Sequence, residues 1–131
     1  IRGGFRVVSF SALNPVEAIK LMRWRRRYVY YSFEPYGVAI RTDAATSIGL
    51  RPVIYGDDQL HDSLSENDRP FFQNRGSEVS DWRPEAEWRF IGDLNLHNLP
   101  TEAIRLITYT SDEAAELQRL TDLEIVALTM D

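Results

Sequence analysis

Cysteine is absent from the 131 residues, which excludes disulfides, zinc knuckles and thiol catalysis and agrees with a reducing cytoplasm. Histidine is scarce. His61 and His97 stand alone and at no ligand spacing, so no metal site is predicted on them. Long apolar runs are missing as well: none approaches the ~20 residues of a membrane helix, and no stretch has the basic-then-apolar order of a secretion leader. The expectation is a soluble, cytoplasmic protein with no membrane partner. The glycines are few and scattered, with Gly3-Gly4 near the start and Gly37, Gly49 and Gly56 as single turn residues, so no phosphate-cradling loop is formed. A Gly-x-Ser-x-Gly nucleophile elbow is also lacking.

What is present is enough apolar material for one packed core. The hydrophobic fraction is 44%, with six Tyr, six Phe and three Trp, too hydrophobic for a disordered chain, and the length is that of one domain spanning 1–131. Charge is unevenly distributed: residues 1–41 carry a net +6 and residues 42–131 a net −11. Such halves either neutralise each other on folding or give the first a nucleic-acid face. Fourteen of the fifteen basic residues are Arg, whose planar fork suits ion-paired packing and anion binding alike.

In chain order, Arg6 to Ser11 alternates bulk and polarity and is predicted to be a central strand. Asn14-Pro15-Val16-Glu17 has the spacing of an N-cap, a first-turn proline and a capping-box carboxylate, opening a helix to about Met22. Arg23, Arg25, Arg26 and Arg27 are interleaved with Trp24 and Tyr28 to Tyr31, a pattern that fits stacking on single-stranded nucleic acid as well as an ordinary solvated helix end. Pro35 to Arg41 reads as turn and strand, Thr42 to Gly49 as a capped helical turn, and Arg51 to Tyr55 as a strand at an edge because of Pro52. Asp57-Asp58 has the form of a helix cap, or of a Mg²⁺ pair if further carboxylates join it. Ser65 to Gln73 is predicted as more helix anchored by Phe71 and Phe72, and Glu87 to Gly92 as a strand after a Pro84 turn. Strand Ile104 to Tyr109, helix Ala114 to Leu120 capped by Ser111 to Glu113, and strand Leu123 to Leu128 close the chain as a strand, helix, strand unit with a parallel pair. The fold class is therefore α+β: a single domain with a mixed, curved sheet of about six strands and three or four short helices.

The densest chemistry lies in Asp81 to Leu94, which holds two Trp, two Glu and two Arg within one turn and strand start. Glu85 and Glu87 are two apart, so in an extended chain both carboxylates face one cleft and can take a ribose hydroxyl or an arginine pair. The alternative is that Glu85 is solvated while Glu87 pairs with an arginine such as Arg89.

Val8-Ser9-Phe10-Ser11, Tyr31 to Ile40, Arg51 to Tyr55 and Trp82-Arg83-Pro84-Glu85-Ala86-Glu87-Trp88-Arg89 together resemble a broad family of bacterial uncharacterised domains, some associated with abortive-infection phage resistance. That family has a Cys-Phe-Ser strand and a Trp-x-x-Glu-[Lys/Arg]-Glu-Trp-Arg block; this chain departs from it at Ser9 and Ala86. A weaker similarity is to ADP-ribosyltransferases, whose sites combine an Arg on an early strand, a Ser-x-Ser strand and a Glu-x-Glu pair. Arg6, Ser9, Ser11, Glu85 and Glu87 would match, although here the Arg and the serines share one strand. The expected function is binding of a small anionic or nucleotide-like ligand, or of a protein partner, in a phage-defence or mobile-element setting and without a cofactor. The expected cleft contains Trp82, Glu85, Glu87, Trp88 and Arg89 with Tyr36 and some of Arg25 to Tyr31. The alternative is an ADP-ribosyltransferase-like enzyme using NAD, with Glu87 as catalytic carboxylate, assisted by Glu85.

Overall fold

The structure is a computed structural model and describes residues 3–19, 34–76 and 83–129. The basic-aromatic stretch Arg23 to Tyr31 and Trp82 lie outside these residues. The class is α+β, as the alternation of patterns predicts. Among the described residues eight strands fall into three sheets rather than one. Contacts gather the chain into two compact units, one from 1–12 and 46–96 and one from 13–45 and 97–131. The chain passes between them more than once, so neither unit is one contiguous segment.

The first unit is built on a three-stranded antiparallel sheet of β1 (Val7–Ser11), β6 (Glu87–Ile91) and β3 (Arg51–Pro52), with β6 in the middle. The strand predicted to be central, β1, is therefore an edge of this sheet among the described residues. The reason is visible in its alternation: Ser9 and Ser11 give it a half-polar face, whereas β6 carries the fully buried Arg89. Register places Ser9 opposite Arg89 and Ser11 opposite Glu87, with Arg51 opposite Arg89 from the other side. Directly opposed residues share a face, so Ser9, Ser11, Glu87, Arg89 and Arg51 form a polar face. Val8, Phe10, Trp88, Phe90 and Pro52 form the apolar one.

Arg51 to Tyr55, predicted as one strand, breaks at Val53. Pro52 has no N–H for the ladder, and the Val53 N–H donates to the Glu87 carbonyl at 2.9 Å. The chain then leaves the sheet as β4 (Ile54–Gly56). Strand β4 pairs in parallel with β5 (Phe72–Asn74). The helix predicted over Ser65 to Gln73 is thus only a 3₁₀ turn, Arg69–Phe71, that runs into β5. Pro70 disfavours α geometry at Arg69, and the adjacent Phe71 and Phe72, both buried, are best accommodated where the chain extends and successive side chains diverge. Between β4 and that turn lies a short helix, Asp58–Ser63, in which the Asp57 carboxylate accepts the Leu60 N–H at 2.9 Å. The aspartate pair is a helix cap, and among the described residues no three His, Asp or Glu side chains gather as a metal ion would need.

The second unit has its own three-stranded sheet, β2 (Gly37–Ile40), β7 (Ile104–Thr108) and β8 (Glu124–Ala127), with β7 central. Strands β2 and β7 are antiparallel and β7 and β8 parallel, the latter joined through helix Ser111–Gln118 as the strand, helix, strand pattern predicts. That helix starts earlier than predicted. Thr110, not Ser111 to Glu113, is its cap: Thr110 Oγ1 accepts the Glu113 N–H at 3.3 Å and Glu113 Oε2 accepts the Thr110 N–H at 2.9 Å, a reciprocal capping box. The same device opens the predicted first helix, Pro15–Ile19, between Asn14 and Glu17 at 2.9 and 3.1 Å. Leu99, Ala103, Ile104 and Thr108 are buried in this unit, with Ala44 and Ala45 from the helix Thr42–Ser47.

Candidate functional site

The candidate site grows out of how β6 begins. Pro84 sits in a 3₁₀ turn, Arg83–Glu85, closed by the Ala86 N–H donating to the Arg83 carbonyl at 3.0 Å. Leaving so tight a turn requires a left-handed residue, and Ala86 supplies it at φ +47°, an unusual conformation for a side chain with a Cβ. Glu85 and Glu87 are therefore not two positions of one extended strand, as the two-residue spacing predicts. Glu85 ends a turn and Glu87 begins the strand, with the backbone reversed in hand between them. Edge strand β1 holds the turn in place: the Ala12 N–H donates to the Ala86 carbonyl at 2.8 Å, and Ser11 Oγ donates to the Glu85 carbonyl at 2.6 Å.

Glu87 is fixed at four points. Its carbonyl accepts the Val53 N–H, and its own N–H donates to the Tyr55 hydroxyl oxygen at 3.1 Å. On the side chain, Oε1 accepts Ser9 Oγ–H at 2.9 Å and Arg89 Nε–H at 2.8 Å, while Oε2 accepts from Arg89 Nη2 at 3.1 Å. The pairing with Arg89 is bidentate and nearly dry, with Arg89 at 1% and the Glu87 side chain at 17% exposure. Of the two readings of Glu87, the geometry is that of the arginine pair, and among the described residues it leaves Oε2 with one lone pair uncommitted.

Arg89 itself has no donor left for a ligand, contrary to its predicted binding role. Beyond its two bonds to Glu87, Nη1 donates to the carbonyls of Pro70 and Phe72 at 3.0 and 2.9 Å and Nη2 to Gln73 Oε1 at 2.8 Å. All five N–H groups of the guanidinium are thus satisfied inside the protein. Its work is structural: it ties the polar face of the sheet to the 3₁₀ turn and β5.

Glu85 differs from Glu87 in having no hydrogen-bond partner for its carboxylate among the described residues, although it is half-buried. Burial, and then the charge of Glu87, push its pKa up. Tyr55 is in similar company: burial raises its pKa first of all, and the Glu87 and Glu85 charges add to this against the Glu87 N–H and Arg89.

The other predicted residues are distributed as follows. Arg6 pairs with Asp93 at the surface. Trp88 lies on the apolar face, opposite Phe10 and Pro52, rather than beside the carboxylates. Tyr36 belongs to the second unit, where its hydroxyl donates to Glu113 Oε1 at 2.8 Å. Trp82, Arg23, Arg25, Arg26 and Arg27 lie outside the described residues. The residues that sequence reasoning left out are Tyr55, Gln73 and the carbonyls of Pro70 and Phe72. Tyr55 closes the predicted edge strand, but its place beside the turn comes from a contact distant in sequence, and the contributions of 70–73 arise from a strand pairing that has no local signature. No family model matches this chain, and neither the curated proteins nor the solved structures include a match to it.

Proposed function

We propose that the first unit binds a small nucleotide-like ligand through its hydroxyl-bearing part, at the turn from Glu85 to Glu87. The observation that carries this reading is the half-buried Glu85 carboxylate without a hydrogen-bond partner among the described residues, beside a Glu87 carboxylate held rigid by Arg89 and Ser9. Its oxygens still reach solvent, since Arg69 Nε is the one buried side-chain atom without a partner among the described residues, so a ligand hydroxyl can approach and donate to it, and partial burial strengthens that bond. Held carboxylates of this kind are acceptors for O–H groups, as in ribose recognition. Carboxylates that accept hydroxyls repel an anionic group placed directly against them, so a phosphate of the same ligand would have to be held elsewhere. The phage-defence setting rests on the family resemblance alone.

The test is a calorimetric and NMR titration of the wild-type chain with adenosine, ADP-ribose and NAD, repeated with Glu85→Gln. Saturable binding that weakens at least tenfold in the variant is expected. No binding at millimolar concentration, or equal binding by the variant, overturns the proposal.

The Ser9 to Glu87 hydrogen bond favours a second reading, the ADP-ribosyltransferase-like one, because it brings the serine strand against the glutamate strand. In that reading Glu87 would bind the nicotinamide ribose and stabilise the oxocarbenium-like charge on it. Release of nicotinamide from NAD by the wild type, abolished in Glu87→Gln, is its signature. A wild type inert toward NAD refutes it.

A further inference from the structure

Tyr55 has an atom that neither the fold nor the carboxylate site uses. The tyrosine ends up beside the turn because β3 ends at Pro52 and the chain leaves the sheet after Val53. Its oxygen accepts the Glu87 N–H at 3.1 Å, which fixes where the hydroxyl sits. A phenol that accepts a hydrogen bond still has its own O–H to give, and among the described residues no acceptor takes it. Its raised pKa keeps that proton on the oxygen throughout neutral pH. The turn therefore combines a donor fixed in position, Tyr55 Oη, with two carboxylates: Glu87, held by Ser9 and Arg89, and Glu85, whose backbone carbonyl Ser11 holds while its side chain stays unpartnered among the described residues.

We propose that Tyr55 is a specificity residue that donates to the 2′-oxygen of a ribose 2′,3′-diol whose two O–H groups are accepted by Glu85 and Glu87, so that the site takes ribonucleosides in preference to 2′-deoxyribonucleosides. This rests on the hydroxyl-binding reading above and names its ligand class. A ribose 2′,3′-diol has two donors for two carboxylates and lone pairs for one phenol. Loss of the 2′-hydroxyl leaves one carboxylate unanswered, and sites built to hydrogen-bond a hydroxyl discriminate strongly against the analogue that lacks it. A phosphate has oxygens that would face both carboxylates, and an isolated alcohol answers only one of them.

The experiment titrates adenosine and 2′-deoxyadenosine into the full chain as wild type, Tyr55→Phe and Glu85→Gln, followed by calorimetry. Wild type is expected to prefer adenosine at least tenfold. Tyr55→Phe should weaken adenosine about tenfold, the scale of one lost hydrogen bond, and leave 2′-deoxyadenosine unchanged. Because the variant also removes the acceptor of the Glu87 N–H, wild type is examined in parallel by tyrosine ¹³Cζ NMR. The Tyr55 signal should move with adenosine and not with 2′-deoxyadenosine. Equal affinity of the wild type for the two ligands, a preference retained in Tyr55→Phe, or a Tyr55 signal that does not respond to adenosine overturns the proposal. Binding that is lost in Glu85→Gln but indifferent to Tyr55→Phe overturns the role of Tyr55 alone, whereas absence of binding by the wild type overturns this proposal and the broader reading together.

Discussion

Replacing Arg89 with Met is the perturbation with the largest consequence in this structure. The guanidinium is 1% exposed and makes five hydrogen bonds, two to the Glu87 carboxylate and three to Pro70, Phe72 and Gln73. Methionine fills similar volume, so the cavity contribution is small and the electrostatic one dominates. It leaves Glu87, at 17% exposure, as an uncompensated carboxylate beside a second one, and deprives two carbonyls of their donor. Removing one partner of a buried pair costs about 3–5 kcal/mol. Against a total stability of about 5–15 kcal/mol this is severe, and at this chain length it lowers Tm by roughly 10–20 °C. Glu87→Gln is milder, about 1–3 kcal/mol, because the amide oxygen still accepts from Arg89. The double variant Glu87→Met/Arg89→Met removes both charges and should recover at least about 1 kcal/mol relative to the sum of the single variants. Full rescue is not expected, since the Pro70 and Phe72 carbonyls still lack a donor. Urea unfolding followed by circular dichroism measures wild type and four variants, the single Glu87→Met included to close the cycle. An Arg89→Met variant within about 1 kcal/mol of wild type, or strictly additive single variants, would refute the assignment of Arg89 as the structural tie of this face.

Three further outcomes are expected. Glu85 has a folded-state pKa raised by burial and by Glu87, so as pH climbs from the ordinary glutamate value through the raised one, the unfolded chain ionises first and the fold loses stability. Glu85→Gln should therefore match wild type in acid and exceed it at neutral pH, with the gap opening across that window in pH-dependent melts; a gap that is constant with pH would contradict the assignment. Ala86→Gly relieves the left-handed conformation at φ +47°, worth about 1–2 kcal/mol, and returns about 0.4–1 kcal/mol through unfolded-state entropy. A net gain of about 0.5–1 kcal/mol in urea unfolding is expected, and a clear loss would mean that the alanine methyl is itself well packed. Thr110→Ala removes one half of the capping box with Glu113, so it should cost about 1 kcal/mol and speed amide exchange in the first turn of that helix. Unchanged exchange at Ser111 to Glu113 would show that the cap contributes nothing.

Much of the local structure was legible in the residues. The Asn14 to Glu17 capping box, the strand over Glu87 to Ile91 and the parallel ending around helix Ser111–Gln118 follow from short-range rules of capping and alternation, which act over a few residues and leave a trace in the sequence. The pairing of Glu87 with Arg89 was legible too, because the two lie on one face of one strand. The place of Tyr55 was not, since it depends on the strand ending at Pro52 and on the hydrogen bond of Val53 to Glu87, 34 positions away in the sequence. The strand at Phe72–Asn74 likewise needs β4 beside it to outcompete the helix that its local spacing suggests.

The sequence by itself determined the α+β class, the helix caps and the presence of a dense acidic-aromatic turn, because each is encoded in neighbouring residues. Tertiary structure alone decided what that turn means. Its positive-φ alanine separates Glu85 from the strand that carries Glu87, and contacts distant in sequence commit the three donors of Arg89 that Glu87 does not take. They also leave the Glu85 carboxylate and the Tyr55 hydroxyl proton without acceptor or donor among the described residues. Which polar groups remain unsatisfied is a sum over all neighbours in space, and no local pattern of residues contains that sum.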